Sequence, residues 1–213
     1  MPAPRSDPRP VVAAFDVDGT LTTGDCVLPF LRRAAGRRLV TALLSRPVAL
    51  GSGLLRRDRD LLKELSCAAL AGLSGADVDR LGAEFAQDVF SSRLRDDTAA
   101  RLRRHRELGH TVVLASASLD AYLLPLGELL GVDEVVCTRL ERAHGRLTGR
   151  LDGANCRGAE KARRVRELLS ARGLDGAELW AYGDSPDDEP LLESADHGVR
   201  VGRAPLSVLD TGG

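Results

Sequence analysis

With 213 residues, 43% of them hydrophobic, the chain is long enough to bury a sizeable core, as one large domain or a domain carrying an insertion. A formal net charge of −1 gives no global field for nucleic acid, and 3% aromatic residues leave little for base stacking, so no nucleic-acid partner is expected. The four cysteines (Cys26, Cys67, Cys137 and Cys156) form no CxxC pair and follow no secretory-type segment; they indicate neither a disulfide framework nor a zinc site, and a reducing cytoplasm is the expected setting.

Residues 1–10 are rich in Pro and Arg with no apolar run, which predicts a disordered tail. The apolar run Val11–Phe15 reads as a buried strand that delivers Asp16 and Asp18 into a Gly19-Thr20 turn. Residues 22–95 then show helical periodicity without a convincing strand, the pattern of an inserted helical unit. Inside it, residues 39–55 are mostly apolar but broken by Arg46, Pro47, Gly51 and Gly53, too short and interrupted for a spanning helix. A helix pair burying its apolar faces is the first reading; an arginine-flanked interfacial patch making peripheral membrane contact is the second.

From Asp96 an amphipathic helix runs to the stop at Gly109, with Arg101, Arg103, Arg104 and Arg106 expected on its wet face. A strand at 111–115 leads to Ser116, a helix follows at 119–130, and a strand at 134–137 precedes a hairpin-like segment at 144–151. A helix carrying Lys161 near its start and a strand at 178–182 ending in Gly183-Asp184-Ser185 complete the pattern. Alternating strands and helices predict an α/β fold: a Rossmann-like parallel sheet core with helices on both faces and the helical segment inserted as a cap. The expected division is a core of residues 11–21 and 96–213 and a cap of residues 22–95.

Two carboxylates one residue apart at a strand end repel each other and need a compensating cation, proton or water. Asp and Gly also cap turns for backbone reasons alone, and Asp16-Val17-Asp18-Gly19-Thr20 by itself leaves both readings open. Asp16/Asp18, Ser116 and Asp184 all follow strands, so a parallel sheet would gather them at one edge, where such sheets bind ligands. Lysine adds a further signal, because only two of the 30 basic residues are Lys, Lys63 and Lys161. A compact ammonium serves where guanidinium's wide fork would not fit, and Lys161 is marked for that reason.

These parts fill the roles of phosphoryl transfer, whose uncatalysed hydrolysis requires acceleration of up to about 10²¹-fold. Asp16 is the candidate nucleophile, and Asp18 the acid for the leaving oxygen and then the base for water. Mg²⁺ would be held by Asp16, the main-chain carbonyl of Asp18 and Asp184, with Asp188 and Asp187 beside it. Ser116, Lys161, Gly19 and Thr20 would bind the phosphoryl group. The four histidines lack metal-type spacing, and no GxxxxGK phosphate loop occurs.

On the motifs Asp16-Val17-Asp18-Gly19-Thr20, the strand ending at Ser116, Lys161, and Gly183-Asp184-Ser185-Pro186-Asp187-Asp188, the chain resembles the haloacid dehalogenase-like (HAD) superfamily, in its phosphoserine-phosphatase-like branch (subfamily IB). The resemblance runs from about Val11 to Val201 and implies a Mg²⁺-dependent phosphomonoester phosphatase acting on a small phosphorylated metabolite. It also implies Asp188 as the partner of Lys161. Dehalogenases proper do not use the second aspartate as an acid, so Asp18 favours phosphatase; phosphomutases share the aspartyl-phosphate step, but hydrolases dominate this branch. Asp25 matches the position where phosphoserine phosphatases carry a carboxylate for the substrate ammonium, a solvated loop acid being the equal reading. Arg56, Arg57 and Arg59 are candidates for a substrate carboxylate. Two alternatives stand: a lipid-phosphate (phosphatidylglycerophosphate-type) phosphatase, and a catalytically silent phosphate-binding protein on the same fold.

Overall fold

The computed structural model describes residues 9–56 and 58–206. The tail expected at 1–10 lies outside the described residues up to position 8, and so does Arg57. Arg9 and Pro10 do not fit that expectation. The Arg9 side chain donates to the Gly176 carbonyl at 2.9 Å, and the Pro10 carbonyl accepts from the Glu178 N–H at 2.8 Å.

Strand β1 (Val11–Phe15) is followed by helices α1 (Val27–Ala35), α2 (Arg37–Leu44), α3 (Pro47–Arg56), α4 (Arg59–Cys67) and α5 (Gly75–Ser92). Then come α6 (Asp96–Glu107), β2 (Thr111–Leu119), α7 (Asp120–Leu130), β3 (Glu134–Ala143), β4 (Arg146–Asp152) and α8 (Ala159–Ala171). β5 (Glu178–Gly183), the short helix α9 (Glu189–Glu193) and β6 (His197–Arg200) complete the order. The strands form one sheet in the order β4-β3-β2-β1-β5-β6, parallel throughout except for the antiparallel β3–β4 hairpin.

β1 shows why this sheet is covered on both sides. Alternate side chains leave a strand on opposite faces. Ala13 and Phe15 enter one apolar cluster with Leu102, Leu114 and Leu126, while Val12 and Ala14 enter the other with Val165, Leu169 and Leu191. Both faces are therefore apolar, as a parallel sheet between helices requires. After β1 the chain builds outward through β2 to β3 and then crosses to β5 on the other side of β1. The carboxyl ends of β1, β2 and β5 thus flank the point where strand order reverses, the preferred ligand crevice of such sheets.

The α5 helix fixes the helical segment to this framework. A Cβ at Gly82 would lie 1.9 Å from the Ala121 carbonyl oxygen, so only glycine lets α5 press against the start of α7. Gly131, left-handed at φ 63°, ends α7.

Several expectations need correction. The strand expected at 111–115 runs on to Leu119, with a register break between Ala115 and Leu119, so Ser116 stands in an irregular stretch of strand and not after it. β3 extends six residues past the expected end, because the hairpin partner β4 continues its ladder. The four-residue β6 carries no apolar run and gives no strand signal. Residues 39–55 form a helix pair as expected, and Leu39, Ala42 and Leu43 turn to the core, yet Val40, Leu44, Val48, Leu54 and Leu55 are exposed, so the pair buries its apolar residues only in part. Arg101 is buried, over the Tyr182 ring, and only the other arginines of α6 stay wet.

Candidate active site

The loop after β1 is built around two backbone features. The Asp16 N–H donates to the Tyr182 carbonyl at 2.9 Å, which ties the end of β1 to β5. The Val17 carbonyl accepts from the N–H groups of Leu21 and Thr22, both at 2.9 Å, closing a tight turn over Gly19. Gly19 sits at φ 87°, and a Cβ there would come within 2.4 Å of Asp184 Oδ2. Glycine is needed twice at this position, for the left-handed backbone and for the approach of the Asp184 carboxylate. Thr20 reinforces the contact by donating from Oγ1 to Asp184 Oδ1 at 3.3 Å. Thr20 is fully buried, and its hydroxyl holds Asp184.

Lys161 is the hub of the site. Its Nζ donates to Asp16 Oδ1 at 2.7 Å and to Asp188 Oδ1 at 2.5 Å, with all three side chains buried. It lies in the first turn of α8, where the helix dipole disfavours a cation, so the two carboxylates are what stabilise it there. Burial alone would depress the ammonium's pKa, but the charges of Asp16 and Asp188 outweigh it and the net direction is upward. Asp188 is held by its second oxygen, Oδ2, which accepts from the Ser185 N–H at 3.0 Å and the Ser185 hydroxyl at 2.8 Å.

Asp18 faces the same cleft from the other side of the turn. Its Oδ2 accepts from the Ser118 hydroxyl at 2.8 Å and its Oδ1 from the Cys26 N–H at 3.0 Å. Burial pushes its pKa up to about 6, a rise that the Ser118 hydrogen bond only partly offsets. Ser116 is buried, lines the cleft, and accepts the Ser118 N–H on its Oγ at 3.1 Å. The irregular stretch of β2 thus presents Ser116 to the cleft and Ser118 to Asp18.

A cleft of about 890 Å³ joins these residues, lined by Asp16, Asp18, Gly19, Ser116, Lys161, Asp184 and Asp188. Asp25 lines it too, but its carboxylate accepts from the Val27 and Leu28 N–H groups, at 3.3 and 3.1 Å, at the start of α1. Asp187 turns away from Lys161 to pair with Arg157 at 2.7 Å and Arg59 at 3.4 Å. Of the cap arginines singled out in the sequence, Arg59 reaches the cleft and Arg56 does not.

Sequence reasoning missed a group of residues contributed by α4 and the segment before α8. The Lys63 ammonium donates to the Ala117 carbonyl and, at 3.0 Å, to Asn155 Oδ1; burial pushes its pKa down. Asn155 also donates to Asp60 at 2.6 Å, and Arg157 approaches Asp60 at 3.6 Å. The signal for Lys63 was its rarity, since it is the other of the chain's two lysines.

The acidic cluster has the chemistry of a divalent-cation site. Asp16, Asp184 and Asp188 each offer a carboxylate oxygen, all within 4.8 Å of one another. Burial raises the pKa of Asp16 despite Lys161, and that of Asp184 as well. Hard carboxylate oxygens beside an open cleft fit Mg²⁺, which keeps waters and takes few protein ligands.

Comparison with known proteins accords with this geometry. The model of the haloacid dehalogenase-like hydrolase family matches residues 13–193. Protein CicA of Caulobacter vibrioides is 37% identical over 92% of the chain and 88% of its own length. The protein named phosphoserine phosphatase SerB1 of Mycobacterium tuberculosis is 30% identical over 94% of the chain and 70% of its own length. A solved structure of a protein with unknown function from Bordetella pertussis Tohama I superposes with a TM-score of 0.70 at 26% identity, covering 87% of each chain. The chain belongs to the haloacid dehalogenase-like hydrolase family. Within that family it stands in the phosphoserine-phosphatase-like branch. Among the described residues no helix is long and apolar enough to cross a membrane.

Proposed function

We propose that the protein is a Mg²⁺-dependent phosphomonoester phosphatase that works through an aspartyl-phosphate on Asp16. The observation that carries this reading is the convergence of Asp16, Lys161 and Asp188 at 2.7 and 2.5 Å, with Asp18 held independently across the cleft. Lys161 fixes Asp16 Oδ1, which leaves Oδ2 of that carboxylate for attack on phosphorus. Asp18, with its pKa raised to about 6, suits a group that gives a proton to the leaving alcohol and then takes one from water. The Ser118 and Cys26 donors hold it in place for both steps. The Ser116 hydroxyl and the Lys161 ammonium meet the phosphoryl oxygens as negative charge develops.

Asp16 and Asp184, with the main-chain carbonyl of Asp18, would hold Mg²⁺, and Asp188 would complete the acidic group beside it. When bound, the cation supplies the positive charge that offsets repulsion between carboxylate and phosphate. A site with both aspartates, the lysine and the acidic group in register argues against a silent binding protein.

The helical segment at 22–95 serves as a cap over this site. The cleft walls include Asp25 and Lys63, charges of opposite sign, which favours a small metabolite carrying both an ammonium and a further anionic group, such as an amino-acid phosphate. The four cysteines are free and buried, in keeping with a reducing, cytoplasmic setting. Turnover of p-nitrophenyl phosphate with Mg²⁺, and its loss with chelator, tests the reading. A panel of phosphoserine, sugar phosphates and lipid phosphates then ranks the substrates. No turnover of any phosphomonoester would leave the silent alternative.

A further inference from the structure

The five most exposed large hydrophobic residues among those described all lie on α2 and α3: Val40, Leu44, Val48, Leu54 and Leu55, at 57, 66, 85, 60 and 87%. Val40 and Leu44 are one turn apart on α2, and Val48 and Leu55 two turns apart on α3, so each pair shares a helix face. Exposed apolar residues scattered singly need no explanation, but a concentration of this kind on neighbouring helices does.

Charge indicates what covers it. Residues 26–57 hold seven arginines and no Asp or Glu, although the whole chain has a net charge of −1. Arg37, Arg46 and Arg56 are exposed beside the apolar side chains and, among the described residues, form no ion pair. A second copy of the chain would oppose arginines to arginines in a self-complementary contact, with no acid in the segment to relieve them. Leu54 and Leu55 are adjacent and splay around the end of α3, which a fluid acyl layer accommodates more readily than a rigid protein groove. Apolar side chains ringed by arginines on helices too short to span are the composition of an element lying in an anionic lipid interface.

We infer that α2 and α3 form a peripheral docking surface for an anionic lipid bilayer. The helix α4 begins three residues after α3, and Gly53 of α3 packs on Leu62 of α4. Arg59, Leu62 and Lys63 of α4 line the cleft, so docking sets its mouth beside the lipid surface. The inference does not depend on the phosphatase reading, since lipid binding is measured without turnover.

Co-sedimentation of the full chain with vesicles of phosphatidylcholine and phosphatidylglycerol in roughly equal amounts tests it, against vesicles of phosphatidylcholine alone. The expected result is partition to the anionic vesicles about tenfold stronger, weakened by high salt. V48E/L55E and, separately, R46E/R56E each lower that partition about tenfold while leaving the circular dichroism spectrum and basal p-nitrophenyl phosphate turnover unchanged. The charge-reversal variant keeps the test valid if the apolar one fails to fold. Absence of binding to anionic vesicles at low salt overturns the inference. So does binding that neither variant weakens, or a dimer in light scattering that V48E/L55E dissolves, which would identify a second copy as the occupant.

Discussion

Lys161 and Asp16 lie 145 positions apart in the chain and meet at 2.7 Å inside the protein, where the ammonium also holds Asp188. A carboxylate positioned in this way is fixed in orientation through one of its oxygens. Removing the cation leaves two buried carboxylates facing each other. Lys161→Met is therefore expected to lower stability by about 3 kcal/mol, measured by urea unfolding. Its turnover of p-nitrophenyl phosphate should fall by at least about 100-fold. Lys161→Arg should recover little of either, since the planar fork cannot occupy the space of an ammonium between two carboxylates.

Gly19→Ala places a methyl group 2.4 Å from Asp184 Oδ2 at a backbone φ of 87°. The Asp184 carboxylate must move, so the expected result is a rise of about tenfold in the Mg²⁺ concentration for half-maximal activity, read by metal titration. The strained backbone should cost about 1–2 kcal/mol, read from the denaturation midpoint.

Lys63 comes from α4 and holds the Ala117 carbonyl next to Ser116. Lys63→Met should raise KM for phosphoserine about tenfold with a smaller change in kcat, the pattern of lost ground-state binding. The KM for p-nitrophenyl phosphate, which has no second anionic group, should change less. Steady-state kinetics on both substrates checks the difference.

His105 is fully buried and bonds His110 and Tyr182, each at 2.8 Å. Burial, then the neighbouring His110 and Arg101, lowers its pKa from 6.5 to about 4, so it is neutral in the native protein. The unfolded chain takes up this proton first as pH falls, so stability is present above about 6.5 and is lost progressively down to about 4. Urea unfolding should show a loss of about 2–3 kcal/mol across that window from this residue. His105→Gln should flatten the slope there, whatever its effect at neutral pH.

The residues at strand ends were legible because strand, turn and helix each leave a local mark. A buried apolar run followed by polar residues and a helical period sets Asp16 and Asp184 at one sheet edge; Ser116 reaches the same cleft, but from an irregular stretch within β2 that the apolar run did not show. Side-chain direction within irregular segments leaves no such mark. Asp187 and Asp188 are adjacent on one short turn; the family resemblance pairs Asp188 with Lys161, as the fold does, but nothing local gives Asp187 its partner Arg157. Lys63 was hidden because helical periodicity gives a helix's faces but not which of them looks into a cleft. The exposure of α2 and α3 was illegible for a related reason: a run of apolar residues reads the same whether a core or another surface covers it.

A covalent phosphoryl group on Asp16 is the most direct test of the proposed chemistry, and Asp18→Asn provides it. The p-nitrophenolate leaving group needs no proton, so the first step proceeds in that variant while the second, lacking its base, stalls. Acid quenching of Asp18→Asn with p-nitrophenyl phosphate and Mg²⁺, followed by peptide mass spectrometry, should find one phosphoryl group on the peptide containing Asp16, and none after Asp16→Asn is added. A phosphoryl group on another residue would contradict the account, as would undiminished hydrolysis by Asp16→Asn alone.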